Sequence, residues 1–207
     1  MQLHRRDVVD KATQLLDDYG IADLTMRRLA RELSVTPGAL YWHFADKQAL
    51  LGAVADRILE PAAATVDRGR WTQRIHDLCA GLRNALLSAT DGAELVSASF
   101  AAGQSERMAE ILQRLGAAVL EAGIGAPKAD LAARTVLYYV LGFTADEQSR
   151  LQWDAAGALS DDQSVMATNP NARFAFGLGL LVDGIAAQRV ICSGDEGVDP
   201  GVAVPAP

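Results

Sequence analysis

The stretch that decides the fold is "LTMRRLARELSVTPGALYWHF", residues 24–44. It contains two short runs of helix-forming residues with the polar turn "SVT" between them. Thr25 can cap a first helix, and Thr36 can cap a second one that begins at Pro37, where a missing N–H costs nothing. The second helix is predicted to end near Phe44. Two short helices joined by a tight turn predict a helix-turn-helix.

The apolar residues of this stretch predict how the two helices pack. Ala30 is small where the helices would touch, and Phe44 is predicted to be a core residue. With its inner face held in this way, the second helix is free to lie in a major groove of DNA, which admits only a few side chains from one helix. The residues predicted to face inward are Leu29, Leu33, Val35 and Leu40.

Helical periodicity continues on both sides of this unit. Apolar residues recur at helical spacing from Arg5 to Tyr19, and Gly20 is a typical C-terminal stop. Asp46 can cap a long helix. We find no strand pattern, so the predicted fold class is all-α. The other helices are predicted at 26–33, 37–44, 47–66, 71–88, 93–102, 105–122, 128–150 and 172–190, with a loop at 152–171 that has room for one short helix.

A polar, glycine-containing link at 67–70 suggests a domain boundary. We expect an N-terminal three-helix helix-turn-helix domain over 1–66, with a fourth helix at 47–66 as its connector. A larger helical domain is expected over 67–190. Residues 191–207, which include "SGDEGVDPGVAVPAP", offer little that could pack, and they are predicted to be a disordered tail.

Length and composition exclude several protein classes. The chain has 207 residues, half of them hydrophobic, which is enough for a substantial core. No apolar run reaches the roughly 18 residues of a membrane span, and the N-terminus lacks the apolar core of a signal peptide. A cytoplasmic protein without a membrane partner is expected. Cys79 and Cys192 form no disulfide framework or zinc pattern, and no cofactor is expected.

The net charge of −7 argues at first against a nucleic-acid partner, because phosphate binding needs local positive charge. Its distribution removes the objection. Residues 1–50 hold seven Lys and Arg against seven Asp and Glu, so the whole −7 belongs to residues 51–207. The N-terminal segment is neutral, and a neutral segment permits DNA binding without demonstrating it.

Residues 24–54, "LTMRRLARELSVTPGALYWHFADKQALLGAV", resemble the DNA-binding module of the TetR family of transcriptional repressors. That module has an "LT-x-R-x-LA" helix, a turn and an "LYxHFxxKxxLL" end, and the pattern positions match without a gap. Three further segments are similar, in the same order, to the regulatory domain of the tetracycline-repressor branch: "ALLSATDGAELV" (85–96), "LGFTADEQ" (141–148) and "FAFGLGLLVDGI" (174–185).

One position departs from the usual helix-turn-helix pattern. Glycine normally stands four residues after the small Ala30, because the backbone there is left-handed, and this chain has Ser34 instead. Serine in that conformation is somewhat strained but not forbidden. The predicted fold is therefore kept.

The resemblance implies DNA contacts by matching position. Arg27 stands at the base-reading position, where an arginine can make a bidentate contact with guanine. Arg28 is the next candidate, with a phosphate contact or a solvated surface charge as alternatives. Trp42 either packs at the groove edge or is partly buried against the fourth helix. The other implied contacts are Thr36, Pro37 and Gly38 at the start of the second helix and, to phosphates, Tyr41, His43 and Lys47.

A module with one DNA site must dimerise to bind symmetrically, which predicts a homodimer on a palindromic, double-stranded operator. The helices from about Lys128 and Ala172 resemble the pair that forms a four-helix bundle across the family's dimer interface. Gly177, Gly179 and Gly184 would allow close backbone approach there. "GLGLLVDG" is a poor phosphate-binding loop, because no strand precedes it and the glycine spacing is wrong.

The tetracycline-binding relatives hold a magnesium ion through a histidine and a carboxylate. Here the matching positions carry Val96 for that histidine, Phe100 for an arginine and Ala63 for a second histidine. Asp146 or Glu147 occupies the carboxylate position. One carboxylate without its partner is a poor site for a hard cation. We therefore expect no metal site and no strong binding of magnesium-tetracycline.

The ligand site implied by position is mostly apolar with a few hydroxyl groups, which is typical of a pocket for a lipophilic or aromatic molecule. Each of these residues could instead be ordinary core. The implied lining is Leu78, Leu82, Val96, Ser99, Phe100, Leu115, Tyr138, Phe143 and Asp146.

The function expected from the sequence is a ligand-responsive transcriptional repressor that an effector releases from DNA. The sequence does not decide whether the ligand releases or promotes binding. One alternative is a DNA-binding regulator that senses no ligand, which a solid core over residues 71–190 would favour. The other is a helical enzyme that binds a small molecule. The sequence contains no recognisable set of catalytic residues, so we expect no catalytic site and no enzyme activity.

Overall fold

The computed structural model describes residues 3–64, 68–160 and 169–194, and within these ranges it contains nine α-helices and no strand. The predicted all-α fold class is confirmed. None of the described helices combines the length and the apolar composition that a membrane crossing requires. The helices are α1 Arg5–Asp23, α2 Met26–Glu32, α3 Pro37–Tyr41, α4 Lys47–Ala63, α5 Trp71–Leu87, α6 Gly92–Ala101, α7 Glu106–Glu121, α8 Ala126–Ala155 and α9 Pro170–Gly194.

The helix caps follow the sequence with one exception. The Arg28 N–H donates to the Thr25 hydroxyl at 3.2 Å, so Thr25 caps α2 as expected. The Ala49 N–H donates to Asp46 at 2.8 Å, so Asp46 caps α4. Thr36 precedes the first residue of α3, but its side chain makes no capping hydrogen bond, so that part of the prediction was wrong.

Some helix ends differ from the predictions. Gly20 has a positive φ of 77° and interrupts α1 as expected, although one more helical turn follows it to Asp23. The long helix α8 continues to Ala155, past the predicted end at 150. The last helix α9 reaches Gly194, so residues 191–194 are helical and do not belong to a tail. The rest of the predicted tail lies outside the described residues.

A single hydrophobic core runs through the described residues, and α4 is the element that connects its two ends. Helix α4 packs against α1 on one side and against α5, α6 and α7 on the other. Leu50, Val54 and Leu59 of α4 are all buried in this core. The predicted connector is therefore packed tightly against both groups of helices, which lets it carry a displacement from one to the other.

Polar contacts tie α1 to the turn before α6. The Asp91 carboxylate accepts hydrogen bonds from the Ile21 N–H at 2.9 Å and from the Gln152 side chain at 2.7 Å. The Thr90 N–H donates to the Asp17 carboxylate, and the Thr90 hydroxyl donates to the Asp17 carbonyl, each at 3.1 Å. The end of α1 is thus held by the beginning of α6 and the end of α8.

A second junction lies between α4 and the turn from α6 to α7. The Asp56 carboxylate accepts hydrogen bonds from the Ser105 hydroxyl at 2.7 Å and from the Arg107 N–H at 3.1 Å, so α4 supplies a cap for α7. Gly52 lies so close that a Cβ atom there would be 2.2 Å from the Gln104 carbonyl oxygen. Because no space separates them, α4 and the start of α7 cannot slide independently.

Candidate DNA-binding surface and ligand site

The turn between α2 and α3 has the geometry that the sequence predicted. Ser34 is left-handed, with φ of 55°. Its N–H donates to the Arg31 carbonyl at 3.0 Å, and the Val35 N–H donates to the Ala30 carbonyl at 2.9 Å. These two bonds form a Schellman motif, in which glycine is the usual left-handed residue. Ser34 therefore occupies the expected position, and the turn closes without glycine.

The inner face of this unit anchors α3 to the core. Leu29, Ala30 and Leu40 are almost completely buried, and Phe44 is a core residue as predicted. The Arg5 guanidinium lies 4.7 Å from the centre of the Phe44 ring, where α1 covers the end of the motif. Leu33 and Val35 pack against the same core and are partly buried.

The outer face of α3 is open. The first three residues of the predicted contact, Thr36, Pro37 and Gly38, are all exposed. Tyr41 is 53% exposed and Trp42 is 91% exposed. Of the two alternatives for Trp42, partial burial against the fourth helix was therefore wrong, and packing at the groove edge stays a prediction. The two remaining predicted contacts, His43 and Lys47, are half-buried near the same face.

The two neighbouring arginines of α2 have different surroundings. Arg27 is exposed on the outer face of the helix. Arg28 donates to Asp23 at 2.7 Å, and its guanidinium lies 3.7 Å from the centre of the Tyr19 ring. Only 20% of the Arg28 side chain is exposed, so the alternative of a solvated surface charge was wrong.

Four of the residues expected to line a ligand pocket are core residues. Leu78, Leu82, Val96 and Leu115 are each 2% exposed or less, and they belong to the continuous hydrophobic core. In this structure they pack against protein. For each predicted lining residue, the sequence left open that it is an ordinary core residue, and these four residues are core residues in the structure.

Two other predicted residues meet at a surface groove. Phe100 of α6 and Tyr138 of α8 both line a cleft of about 800 Å³ between α6, α7 and α8. Tyr138 is 58% exposed and faces outward. Leu112 and Leu120 of α7 form the opposite wall. The groove is mostly apolar, with Asp130 and Arg134 also in its lining, and it is large enough for a drug-sized molecule.

Ser99, which precedes Phe100 in α6, has an unusual hydroxyl. Ser99 is 4% exposed, and its oxygen has no hydrogen-bond partner among the described residues. A buried hydroxyl that is left unpaired costs free energy. Ser99 is the residue before Phe100, so an unsatisfied polar group lies next to the apolar lining that the sequence predicted.

Phe143, the next predicted residue, lies in a different place. It belongs to an aromatic cluster with Tyr139 and Phe174, whose ring centres lie 5.8 Å and 5.3 Å from its own. The Tyr139 hydroxyl donates to the Phe174 carbonyl at 2.9 Å, and burial raises the pKa of Tyr139. The cluster joins α8 to α9 and does not contribute to the groove.

Asp146 does not line the groove of Phe100 and Tyr138. Its carboxylate is 62% exposed and pairs with Arg150 one turn later on α8, so its contact with a ligand stays a prediction. The buried carboxylate is that of Glu147. Arg83 of α5 donates to its two oxygens at 2.6 Å and 2.8 Å, and donates to the Asn171 side chain at 2.8 Å.

The sequence reasoning missed Arg83, although a signal for it exists. Arg83 follows Cys79 by four residues and therefore lies on the buried stripe of α5, where an arginine needs a buried partner. An isolated charged residue on an otherwise apolar helix face is the sequence signal for Arg83. Among the described residues, no group of three His, Cys, Asp or Glu side chains is arranged to hold a metal ion.

The outward surface of α8 and α9 carries exposed apolar side chains. Leu131, Phe176 and Leu180 are 64%, 70% and 58% exposed, and a groove of about 450 Å³ runs between the two helices. Gly177 permits close contact within the chain, because a Cβ atom there would lie 2.3 Å from the Tyr139 hydroxyl. Such an apolar surface is typical of a protein–protein interface.

Two family models match the chain. The model described as "Bacterial regulatory proteins, tetR family" matches residues 8–54, which contain the helix-turn-helix. The model described as "Tetracyclin repressor-like, C-terminal domain" matches residues 64–163, which contain α5 to α8. Together the two models cover most of the described helices.

Individual relatives match over nearly the whole chain. The crystal structure of Mycobacterium smegmatis BioQ is 63% identical, covers 90% of this chain and 99% of its own, and superposes with a TM-score of 0.84. A crystal structure of BioQ with its natural double-stranded DNA operator is 60% identical at the same coverage, with a TM-score of 0.78. The tetracycline repressor protein class A from transposon 1721 of Escherichia coli is 30% identical, over 97% of this chain and 98% of its own length.

Proposed function

The chain belongs to the tetR family of bacterial regulatory proteins, and on that premise we propose that it is a repressor whose homodimer binds a palindromic DNA operator and is released by a lipophilic or aromatic molecule. The relatives it matches are transcriptional regulators, which leaves the enzyme alternative without support. One observation carries the proposal: the outer face of α3 is exposed, while its inner face is buried in the core and holds the helix in place.

The DNA-binding part of the proposal rests on the shape and exposure of the helix-turn-helix. Thr36, Pro37 and Gly38 form an open N-terminus of α3 that can enter a major groove. Arg27 stands beside it on α2 and can reach a guanine edge. Tyr41 can hold the phosphate backbone, which sets the register without reading the sequence. BioQ, at 60% identity, has been crystallised with its operator, which supports the same mode of binding here.

The homodimer follows from symmetry and from the surface of α8 and α9. A palindromic operator needs two helix-turn-helix units related by a two-fold axis. The exposed Leu131, Phe176 and Leu180 supply an apolar patch that a second copy can bury. The spacing between the two recognition helices is then set by the regulatory part of the molecule.

We place the effector in the groove between α6, α7 and α8. Phe100, Leu112 and Leu120 give it an apolar wall, which suits a lipophilic or aromatic ligand. The Tyr138 hydroxyl and the ion pair of Asp130 with Arg134 are polar groups of the same lining. The groove adjoins the α6–α7 turn, and this turn touches α4 at Gly52. A ligand that displaces α6 therefore displaces α4 and the helix-turn-helix attached to it.

The mechanism requires only that the effector bind the non-DNA conformation more tightly. A ligand shifts an equilibrium by its differential affinity for the two states, and the coupling is reciprocal. A coupling of about 1–3 kcal/mol changes operator affinity roughly 5- to 150-fold.

A second candidate function is a DNA-binding regulator that senses no ligand. The observation that favours it is the packed interior, where Leu78, Leu82, Val96 and Leu115 leave the expected pocket filled. In that case the groove would be a surface feature without an occupant. The two candidates share the same DNA-binding surface and differ only in whether a small molecule changes operator affinity.

The DNA-binding part is tested by measuring affinity for an operator selected from random duplexes, with the BioQ operator as a starting sequence. We expect Arg27→Ala to lose about 1–3 kcal/mol and to relax the base preference at one position of each half-site. Arg31→Ala, which removes an equally exposed arginine of α2, is the matched control and should keep that preference. Uniform weakening on every sequence would reduce Arg27 to a phosphate contact.

The effector part is tested by a panel of lipophilic and aromatic compounds added to the protein–operator complex. Gly116 of α7 lines the groove, and a Cβ atom there would meet nothing within 4 Å. Gly116→Leu should therefore fill the groove and abolish release while operator affinity is kept. Gly116→Ala is the control and should still respond. Release that is unaffected by Gly116→Leu would place the ligand elsewhere, and no release by any compound would favour the ligand-independent regulator.

A further inference from the structure

The side chain of Arg28 is held against α1 and is only 20% exposed, although its position next to Arg27 suggests a second DNA contact. We propose that Arg28 is a positioning residue: it braces the start of α2 against α1 so that Arg27 is presented to the operator in one fixed orientation. The inference rests on the proposed base-reading role of Arg27. It means that the side chain of Arg28 contacts other residues of the protein and does not contact DNA.

The contacts of Arg28 engage both the face and the edge of its guanidinium. The Cζ atom of the guanidinium lies over the Tyr19 ring of α1, 3.7 Å from the ring centre, which is a cation–π contact. One edge donates to Asp23, the last residue of α1, at 2.7 Å. Its Nε atom is buried and has no hydrogen-bond partner among the described residues, so that part of the group is closed to a phosphate as well.

The segment that this brace holds is weak by itself. The last turn of α1 is separated from the rest of that helix by a bend at Gly20, where φ is 77°. Helix α2 has only seven residues, and a helix of that length is marginal without tertiary contacts. The backbone N–H of Arg28 completes the cap on Thr25, while its side chain ties the same turn to α1. One residue therefore fixes both the cap and the orientation of the first turn.

The orientation of Arg27 depends on this turn. Successive residues of an α-helix point about 100° apart around its axis. Because Arg28 points toward Tyr19 on α1, Arg27 is turned to the outside, where it is exposed. A bidentate contact with a guanine edge needs a guanidinium in a fixed plane. If the first turn of α2 could rotate or fray, Arg27 would keep its charge near the DNA but lose its base discrimination.

A direct phosphate contact by Arg28 would have a different cost. The side chain would have to leave both Tyr19 and Asp23, and the exposed Asp23 carboxylate would remain near the DNA without its cation. The two roles also predict different salt dependence. A phosphate contact contributes about 0.9 to the slope of log affinity against log salt, whereas a brace contributes nothing.

The experiment is a double-mutant cycle between Arg27 and Arg28, read as discrimination between the operator and a duplex with the Arg27-contacted base pair changed. We expect Arg28→Ala to lower this discrimination about five-fold or more, which corresponds to about 1 kcal/mol. In the Arg27→Ala background, the same change should have no further effect on discrimination. Full additivity of the two changes would overturn the brace.

Two further variants separate the brace from a phosphate contact. Tyr19→Leu removes the stacking partner and leaves the charge of Arg28, so it should reproduce the loss of discrimination at an unchanged salt slope. Arg28→Lys keeps a positive charge but not the planar stack, and it should not restore discrimination. A salt slope lower by about 0.9 in Arg28→Ala, or full rescue by lysine, would assign Arg28 to a phosphate.

The outcomes also separate this inference from the proposed function. If Arg27→Ala alone leaves discrimination between the two duplexes intact, Arg27 does not read a base. The bracing role of Arg28 is then tested by the affinity for the operator. An equal loss of affinity in Tyr19→Leu and Arg28→Ala at an unchanged salt slope would still support it, and an unequal loss would contradict it. If Arg28→Ala does not fold, as thermal unfolding would show, Tyr19→Leu carries the test.

Discussion

At the scale of single residues, Ser34 shows how a motif tolerates a departure from its pattern. The residue adopts the left-handed backbone that normally selects glycine, with φ of 55°. The two hydrogen bonds of the turn and the buried neighbours Ala30 and Leu40 hold it there. Backbone strain of this kind persists where the surrounding structure fixes it. The helix-turn-helix is therefore specified by several residues together and survives the change of one.

Cys79 provides a prediction at the same scale. Burial raises the pKa of its thiol from 9.0 to about 12. The folded chain keeps the proton while the unfolded chain releases it, so the stabilising contribution is complete below pH 9 and is lost between about pH 9 and 12. The free energy of unfolding should fall there by up to about 1.36 kcal/mol per pH unit. Denaturant unfolding at several pH values measures this.

The control is Cys79→Ala, which should be less stable at every pH but should lack this component of the slope. In a Cys192→Ser background Cys79 is the only thiol, and it should react with a thiol reagent only after unfolding. Rapid labelling of the native protein, or identical pH slopes in both proteins, would show that Cys79 is not held in the core.

At the scale of elements, the buried ion pair of Arg83 and Glu147 joins α5 to α8, and Asn171 adds the start of α9. Both charged side chains are less than 10% exposed. A buried pair is costly to break, because the remaining charge has no partner in a dry environment. These three helices are therefore held in register by a polar contact beside the aromatic rings of Phe143 and Phe174.

We expect Glu147→Met to lower the free energy of unfolding by about 3–5 kcal/mol, because Arg83 is left buried and unpaired. The double change Arg83→Met and Glu147→Met should recover most of that loss. Asp146→Met is the matched control: it removes the adjacent, exposed carboxylate, whose surface pair with Arg150 is worth about 1 kcal/mol or less. Urea unfolding of the four proteins measures these values, and equal effects at 146 and 147 would contradict the assignment.

At the scale of the whole molecule, the proposed function lets the apolar surface of α8 and α9 connect regulation to DNA binding. The two helices line one groove, and α8 also lines the proposed effector groove through Tyr138. A change at the groove can therefore reach the spacing of the two recognition helices along two paths. One path runs through α4, and the other runs through the subunit interface.

We expect Leu180→Glu to convert the dimer to a monomer and to weaken operator binding by at least ten-fold, because a charge would be buried in the interface and each half-site would be bound alone. Analytical ultracentrifugation and operator titration measure the two effects. Leu151→Glu is the control, since this exposed leucine lies about 200° around α8 from Leu131. A Leu180→Glu protein that stays dimeric would place the interface on another surface.

Much of the DNA-binding surface was predictable because its signals are local. Thr25, Asp46 and the "SVTPG" turn fix helix starts through neighbouring residues, and the apolar spacing identifies the inward face. The exposure of Trp42 could not be predicted, since it depends on how close α4 lies to α3. The predicted ligand lining stays a prediction. Leu78 and Val96 are on buried helix faces, and whether such faces enclose a cavity depends on how completely the core fills.

The sequence by itself determined the all-α class, the helix-turn-helix and the left-handed position of Ser34, because caps, turns and periodicity act over a few residues. The tertiary structure alone decided that Arg28 turns toward Tyr19, that Glu147 is buried while Asp146 is exposed, and that Phe100 and Tyr138 share a groove. Each of these depends on contacts between elements that are distant in sequence. Their geometry is set by the packing of whole helices, which no local pattern encodes.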